Sequence, residues 1–218
     1  MAEIERPTLD VYIDFSSPYA YVALPELARL AARHGRALVW HPVLLGVIFG
    51  VTRAEPMVKV PLKDAYIRHD VPRCAALAGL PFVWPDPFPF AGVAPARAVY
   101  WVCSQAPDRV DTVVEALFHE AFGRGQALDD KGTVTDVVAG LGFDADQVRA
   151  ALDDPVIKDR LKQETDQAIQ RGVFGSPFIL VDGEPFWGAD RLAQLDAWLS
   201  GGTARQNLAG EAADRGTE

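Results

Sequence analysis

Ser16 and Ser17 stand where a strand-like run gives way to a helical one. Residues 9–15, LDVYIDF, place Leu9, Val11, Ile13 and Phe15 on one side of a period-two pattern, and Ser16-Ser17-Pro18 follows at once. Proline suits the first helical position and serine the cap before it. One of the two hydroxyls therefore lies at a helix start, where free N–H groups and the positive end of the helix dipole favour an anion, a thiolate included. On spacing alone, a plain helix cap is the commoner reading of the serines.

A second signal comes from the far end of the chain. Pro177, in Gly175-Ser176-Pro177-Phe178, precedes a short apolar run, and a proline at such a position suits a tight turn with a cis peptide bond before it. The cysteines give no comparable signal. Cys74 and Cys103 form no CxxC pair and sit in helical contexts, so they read as small buried hydrophobes in a reducing compartment, with a structural disulfide as the alternative. His34, His41, His69 and His119 lack metal-ligand spacing with Cys, Asp or Glu, so no metal is expected.

The elements that must position these residues follow from the pattern. The first strand and its helix, with apolar Tyr21, Leu24, Leu27 and Leu30 running to Gly35, are followed by a second strand over 37–43, ALVWHPV. That is β-α-β, whose crossover implies a parallel pair. From Lys59 to about Gln170 the periodicity is helical, with Thr133 (Asp136 three positions on), Asp144 and Asp154 as helix starts. The chain then returns to β at 178–181, turns at Asp182-Gly183, pairs back over 185–187 and closes with a helix over 190–199 that Asp190 would cap. The order β-α-β, helices, β-β-α is a thioredoxin-like α/β core with an inserted all-helical domain. Its boundaries are 1–44 and 171–200 for the discontinuous core and 45–170 for the insertion, with a mobile polar tail over 201–218.

Composition narrows the function. A formal net charge of −9 disfavours nucleic acid and anionic membrane surfaces as partners. The longest apolar stretch, Ala37 to Val51, contains His41 and Pro42 and falls short of the roughly 20 residues of a membrane helix. The N-terminus, MAEIERPT, has no apolar leader core, so a cytoplasmic location is expected. The loop from Pro81 to Phe90, rich in Phe, Trp and Pro, reads either as a wall for an aromatic ligand or as a plain packed loop.

Three separated motifs, Asp14-Phe15-Ser16-Ser17-Pro18-Tyr19-Ala20-Tyr21, Val173 to Phe178 and Phe186 to Leu192, occur in the order seen in one known group. Together they resemble the 2-hydroxychromene-2-carboxylate isomerases and kappa-class glutathione transferases, members of the broader DsbA-like group. The resemblance implies a homodimer that binds glutathione and a small aromatic, unsaturated carboxylate. It makes Ser17 the hydroxyl on the glutathione sulfur, and it gives the extended tripeptide to the turn of Val173, Ser176 and Pro177. Gly188, Ala189, Asp190 and Arg191 would receive the γ-glutamyl end, with Asp190 on its ammonium group. Lys63 and Tyr66, in Lys63-Asp64-Ala65-Tyr66, would meet the substrate carboxylate and hydroxyl; the spacing reads equally as a solvated helical face. Two positions depart from the family pattern: Val51-Thr52-Arg53 replaces a loop that carries Asn, and Ala189 stands where Ser or Asn is common. The implied reaction is glutathione-dependent cis-trans isomerisation, with kappa-type transfer as the alternative. Thiol-disulfide exchange ranks lower because Ser17-Pro18-Tyr19-Ala20 has sulfur at neither end, and a non-catalytic binding module is the remaining class.

Overall fold

A computed structural model describes residues 6–201. Strand β1 (Thr8–Ile13) leads through Ser17 into helix α1 (Pro18–Arg33), and β2 (Ala37–Pro42) returns parallel to β1. Seven α-helices follow: α2 (Leu45–Thr52), α3 (Lys63–Leu77), α4 (Val93–Gln105), α5 (Val110–Phe118), α6 (Lys131–Gly140), α7 (Ala145–Ala151) and α8 (Pro155–Gln170). The chain then forms the hairpin β3 (Phe178–Val181) and β4 (Glu184–Trp187) and ends on α9 (Leu192–Leu199). The sheet is mixed, in the order β2-β1-β3-β4, with β3 antiparallel to both neighbours. This is the thioredoxin-like architecture expected from the element order, and among the described residues no strand interrupts the stretch between β2 and β3.

Burial explains why the sheet holds β1 at its centre. Leu9, Val11 and Ile13 are wholly buried on one face, against Leu27 and Leu30 of α1 and a cluster that continues through Val99, Val113, Phe118 and Leu161. Tyr12, on the opposite face, packs with Val43, Ile48, Val173 and Phe178 in a second cluster. Each buried aliphatic contributes on the order of 2 kcal/mol, so the end of β1 is held from both sides.

Two helix starts differ from the sequence reading. Thr133 does not cap α6; Asp130 does, accepting from the Thr133 N–H at 2.8 Å, because its side chain reaches the third N–H of a helix that begins two residues earlier. Asp190 does not cap α9, since Ala189–Arg191 form a 3-10 turn that delays the helix to Leu192. Asp144 and Asp154 cap α7 and α8 as expected. The tail expected from residue 201 falls, beyond Gly201 itself, outside the described residues. No helix among them is long and apolar enough to cross a membrane.

An ionic cluster on the Tyr12 face gives the fold a pH dependence. His41 lies between Glu164 (Nδ1 to Oε2, 3.3 Å) and Asp10 (Nε2 to Oδ1, 3.4 Å) and stacks on Tyr12 at 4.6 Å, while Arg171 donates to the Tyr12 hydroxyl at 2.9 Å. Burial alone would lower the His41 pKa, but the two carboxylates outweigh it and raise the value; hydrogen bonds from His41 in turn lower those of Asp10 and Glu164. A raised histidine contributes stability that is complete below its unfolded value of about 6.5 and is lost as pH rises through the folded one. The carboxylates contribute above their unfolded values and lose that contribution as pH falls. The melting temperature should therefore peak near pH 5–6.5 and decline toward pH 8.5, and His41→Gln should flatten the alkaline decline. An alkaline limb unchanged in the variant would contradict this assignment.

Candidate functional site

Ser17 is the N-cap of α1, with extended backbone (φ −92°, ψ 107°), and its Oγ accepts from the Ala20 N–H at 3.3 Å. Its hydroxyl is buried and donates to the Ser176 carbonyl at 2.7 Å. Pro18 has no N–H, and that of Tyr19 cannot reach a helical carbonyl, so the Tyr19 amide is left facing whatever occupies the helix start. Ser16 plays a different part, donating both its N–H (2.8 Å) and its hydroxyl (2.7 Å) to Asp14 Oδ1.

The turn before β3 meets this helix start. The Ser176–Pro177 peptide bond is cis, as expected from the sequence, and two further cis bonds, Asp86–Pro87 and Phe88–Pro89, lie in the 81–90 loop. Ser176 is tied to β1 by the Asp14 N–H, which donates to its Oγ at 2.9 Å. The Pro177 carbonyl accepts from Gly188 N–H at 3.0 Å, which draws the segment Gly188 to Arg191 alongside the turn. Gly188 adopts φ 107°, and an added Cβ there would come within 2.5 Å of Asp190 Oδ1. The positive φ is what requires glycine here, since the exposed Asp190 carboxylate could swing aside. Asp190 itself is exposed and lies 3.5 Å from Arg191.

Of the residues named from the sequence, Ser17, Ser176, Pro177 and Gly188 are linked by hydrogen bonds, with Ala189, Asp190 and Arg191 following on the same segment. Val173 lies behind the turn: its side chain is buried in the Tyr12 cluster and its N–H is given to the Ala168 carbonyl at 2.9 Å. Lys63 opens α3 and is exposed. Tyr66, 60 % exposed, donates to Asp70 Oδ1 at 3.2 Å.

Two contributors escaped the sequence reading. Asp14 is buried beneath the Ser16-Ser17 turn and accepts a third hydrogen bond from the Leu45 N–H at 2.7 Å, which joins the start of α2 to the end of β1. Burial pushes its pKa up, against the opposing hydrogen bonds from Ser16 and Leu45. Asp70 on α3 accepts from the Tyr19 hydroxyl at 2.8 Å, bringing α3 to the first turn of α1. The i,i+4 spacing of Tyr66 and Asp70 was readable as a helical pair; the contact with Tyr19, 51 positions away, was not.

The aromatic loop is a packed one. Phe82, Phe88 and Phe90 lie 6.0–6.3 Å from Phe122, and Trp84 sits against Phe82, Phe88 and the Arg68 guanidinium. Its rings are spent on the α5 end, where the chain continues through a π-helical turn (His119–Gly123), rather than presented as an open wall. A cleft of about 540 Å³ runs along β4 between Pro185, Trp187, Arg191 and Trp198 and borders the Gly188 to Arg191 side of the site. Another of about 460 Å³, along β2 with Arg36, Trp40 and Arg160 on its walls, holds none of these site residues.

A thioredoxin-like domain with a serine at the helix start and a cis-proline turn opposite defines the class. The chain belongs to the DSBA-like thioredoxin domain family, whose model matches residues 8–200. It is 29% identical over 202 residues to the 2-hydroxychromene-2-carboxylate isomerase of Sphingobium xenophagum, covering 88% of this chain and 97% of that protein. It is also 26% identical to glutathione S-transferase kappa 2 of Caenorhabditis elegans, covering 89% and 92% of the two chains. A solved structure of 2-hydroxychromene-2-carboxylate isomerase superposes with a TM-score of 0.79 at 28% identity, covering 95% of this chain and 98% of that one. The family resemblance carried by the three sequence motifs therefore holds.

Proposed function

We propose that the protein is a glutathione-dependent isomerase of an aromatic unsaturated carboxylate, of the 2-hydroxychromene-2-carboxylate isomerase kind. The observation that carries this reading is the Ser17 hydroxyl, set at the start of α1 beside the Ser176 carbonyl with no cysteine at Ser17 or Ala20. The surrounding residues fit glutathione. A sulfur at the helix start would meet the Ser17 hydroxyl and the Tyr19 N–H, the Ser176 backbone suits an extended peptide, and Asp190 and Arg191 offer charges to its amino and carboxylate end. When bound, glutathione supplies the thiolate that adds to a conjugated carbon and leaves again once the former double bond has rotated.

The protein's own part is a change of hydrogen bonds. Ser17 has one hydroxyl hydrogen, now given to the Ser176 carbonyl. Turning that hydrogen to a thiolate stabilises the anion and leaves both lone pairs of the Ser176 carbonyl to a ligand N–H. Lys63, at the exposed start of α3, supplies a cation for the substrate carboxylate, and Tyr66 lies one turn further along. Departures at Val51-Thr52-Arg53 and Ala189 would modulate affinity for substrate and glutathione.

The test is a glutathione titration followed by an absorbance assay with 2-hydroxychromene-2-carboxylate. Saturable binding with turnover that requires catalytic amounts of glutathione is expected. Stoichiometric consumption of glutathione by an electrophilic aromatic acceptor, with a stable conjugate, would favour the kappa-transferase reading that the 26% relative supports. Absence of any saturable binding would return the protein to the binding-module class.

A further inference from the structure

Asp70 gathers more donors than a surface carboxylate requires. Its Oδ2 accepts from the Tyr19 hydroxyl at 2.8 Å and faces Cys74 Sγ at 3.7 Å; its Oδ1 accepts from the Tyr66 hydroxyl at 3.2 Å and from Arg73 Nη2 at 2.9 Å. The two tyrosines come from different elements, Tyr19 from the first turn of α1 and Tyr66 from α3, and this carboxylate joins them. An ionised carboxylate accepts and cannot donate, so both hydroxyl hydrogens must point at Asp70. Partial burial works against ionisation, but the bonds from Tyr19, Arg73 and Tyr66 hold the Asp70 pKa below the usual carboxylate range. The Tyr19 hydroxyl is correspondingly pushed well above its ordinary value, by burial first and by Asp70 second.

We propose that Asp70 is a positioning residue that fixes the hydrogen-bonding sense of Tyr19 and Tyr66, leaving each phenolic oxygen to the ligand as an acceptor only. This rests on the proposed function, which places α3 at the substrate. The consequence is a selectivity rule: this end of the site takes a ligand hydroxyl, which donates, and disfavours a carbonyl or second carboxylate, which has only lone pairs to offer to other lone pairs. Arg73 balances the charge of Asp70 without altering the direction of either hydroxyl hydrogen, and its guanidinium lies 5.7 Å from the Tyr66 ring centre. The ligand's own carboxylate is then left to Lys63, which makes no ion pair among the described residues.

The probes are 3-hydroxybenzoate and 3-acetylbenzoate, which carry the same charge and differ in a meta hydroxyl that donates or a meta carbonyl that only accepts. Binding is measured by calorimetry on the full-length protein with saturating glutathione. Wild type should prefer 3-hydroxybenzoate by about tenfold, the upper end of what one net hydrogen bond contributes. Asp70→Asn, whose amide can donate as well as accept, should bring the two affinities within about threefold, and Tyr66→Phe should narrow the gap in part. The 13C resonances of labelled tyrosine Cζ atoms, assigned with Tyr19→Phe and Tyr66→Phe, should move at both positions in Asp70→Asn, with melting temperature held within a few degrees. A wild-type preference for 3-acetylbenzoate, an unchanged ratio in Asp70→Asn, or unmoved Tyr19 and Tyr66 resonances would overturn the inference. Glutathione-dependent turnover of 2-hydroxychromene-2-carboxylate alongside any of these would leave the isomerase reading standing, whereas loss of turnover in wild type would strike that reading itself.

Discussion

Replacing Ser17 with alanine should separate glutathione binding from catalysis. The hydroxyl is one contact among many to a tripeptide, worth roughly 0.5–1.5 kcal/mol, so affinity should fall by no more than about tenfold. Its cap bond to Ala20 N–H and its bond to the Ser176 carbonyl are both lost, at a cost to stability of about 1 kcal/mol. Turnover should suffer far more. Removing a donor aimed at developing negative charge typically costs on the order of 100-fold in rate, and here the missing donor also lets the bound thiol's pKa rise. The deficit should be deepest near neutral pH and should shrink at higher pH, where the thiol ionises without help. Ser17→Cys should not yield an efficient dithiol oxidase, because Ala20 supplies no resolving sulfur, and a mixed disulfide with glutathione is the expected product. The measurement is kcat and KM for 2-hydroxychromene-2-carboxylate across pH 6–9, with glutathione affinity by titration. Full activity of Ser17→Ala at every pH would remove Ser17 from the mechanism and make the Tyr19 N–H at the helix start the next candidate.

Asp14→Ala should be the most destabilising single change at the site. The carboxylate is buried and satisfies the Ser16 N–H, the Ser16 hydroxyl and the Leu45 N–H. Alanine leaves those donors without an acceptor in a space that water does not readily reach, and each stranded backbone N–H costs about 1–3 kcal/mol. A loss of about 3 kcal/mol or more is expected, which for a chain of this size lowers the melting temperature by roughly 6–12 °C. Asp14→Asn should fall between, since an amide keeps one oxygen but turns its NH2 toward donors. Gly92 provides an independent check. A Cβ at that position would lie 2.9 Å from Asp14 Oδ1 and 3.3 Å from the Phe15 N, so Gly92→Ala must displace the carboxylate or the backbone beside it. Thermal unfolding of the three variants is the measurement. A shift of under 2 °C in Asp14→Ala would show that the junction of β1, α1 and α2 is held by packing alone.

Local chemistry accounts for what could be read from the chain. The β1-α1 junction was legible because a period-two run, a capping serine and a proline at the first helical position are all set by neighbours within four residues. Pro177 was legible for the same reason, and the lack of sulfur at Ser17 and Ala20 is enough by itself to separate this site from a dithiol one. Two helix starts were misplaced by a few residues, at Thr133 and Asp190, where competing caps and a 3-10 turn of similar local propensity were decided by packing. The remaining features depend on which distant segments meet. Asp14 binds Leu45 across 31 positions and donates to Ser176 across 162; Tyr19 reaches Asp70 across 51. A carboxylate in a sequence reads as a solvated charge unless its donors are known, and those donors are backbone and phenolic hydrogens that any sequence supplies in abundance. The tertiary fold alone chose among them, because burying the aliphatic faces of β1 and α1 fixed which loops would converge at the start of that helix.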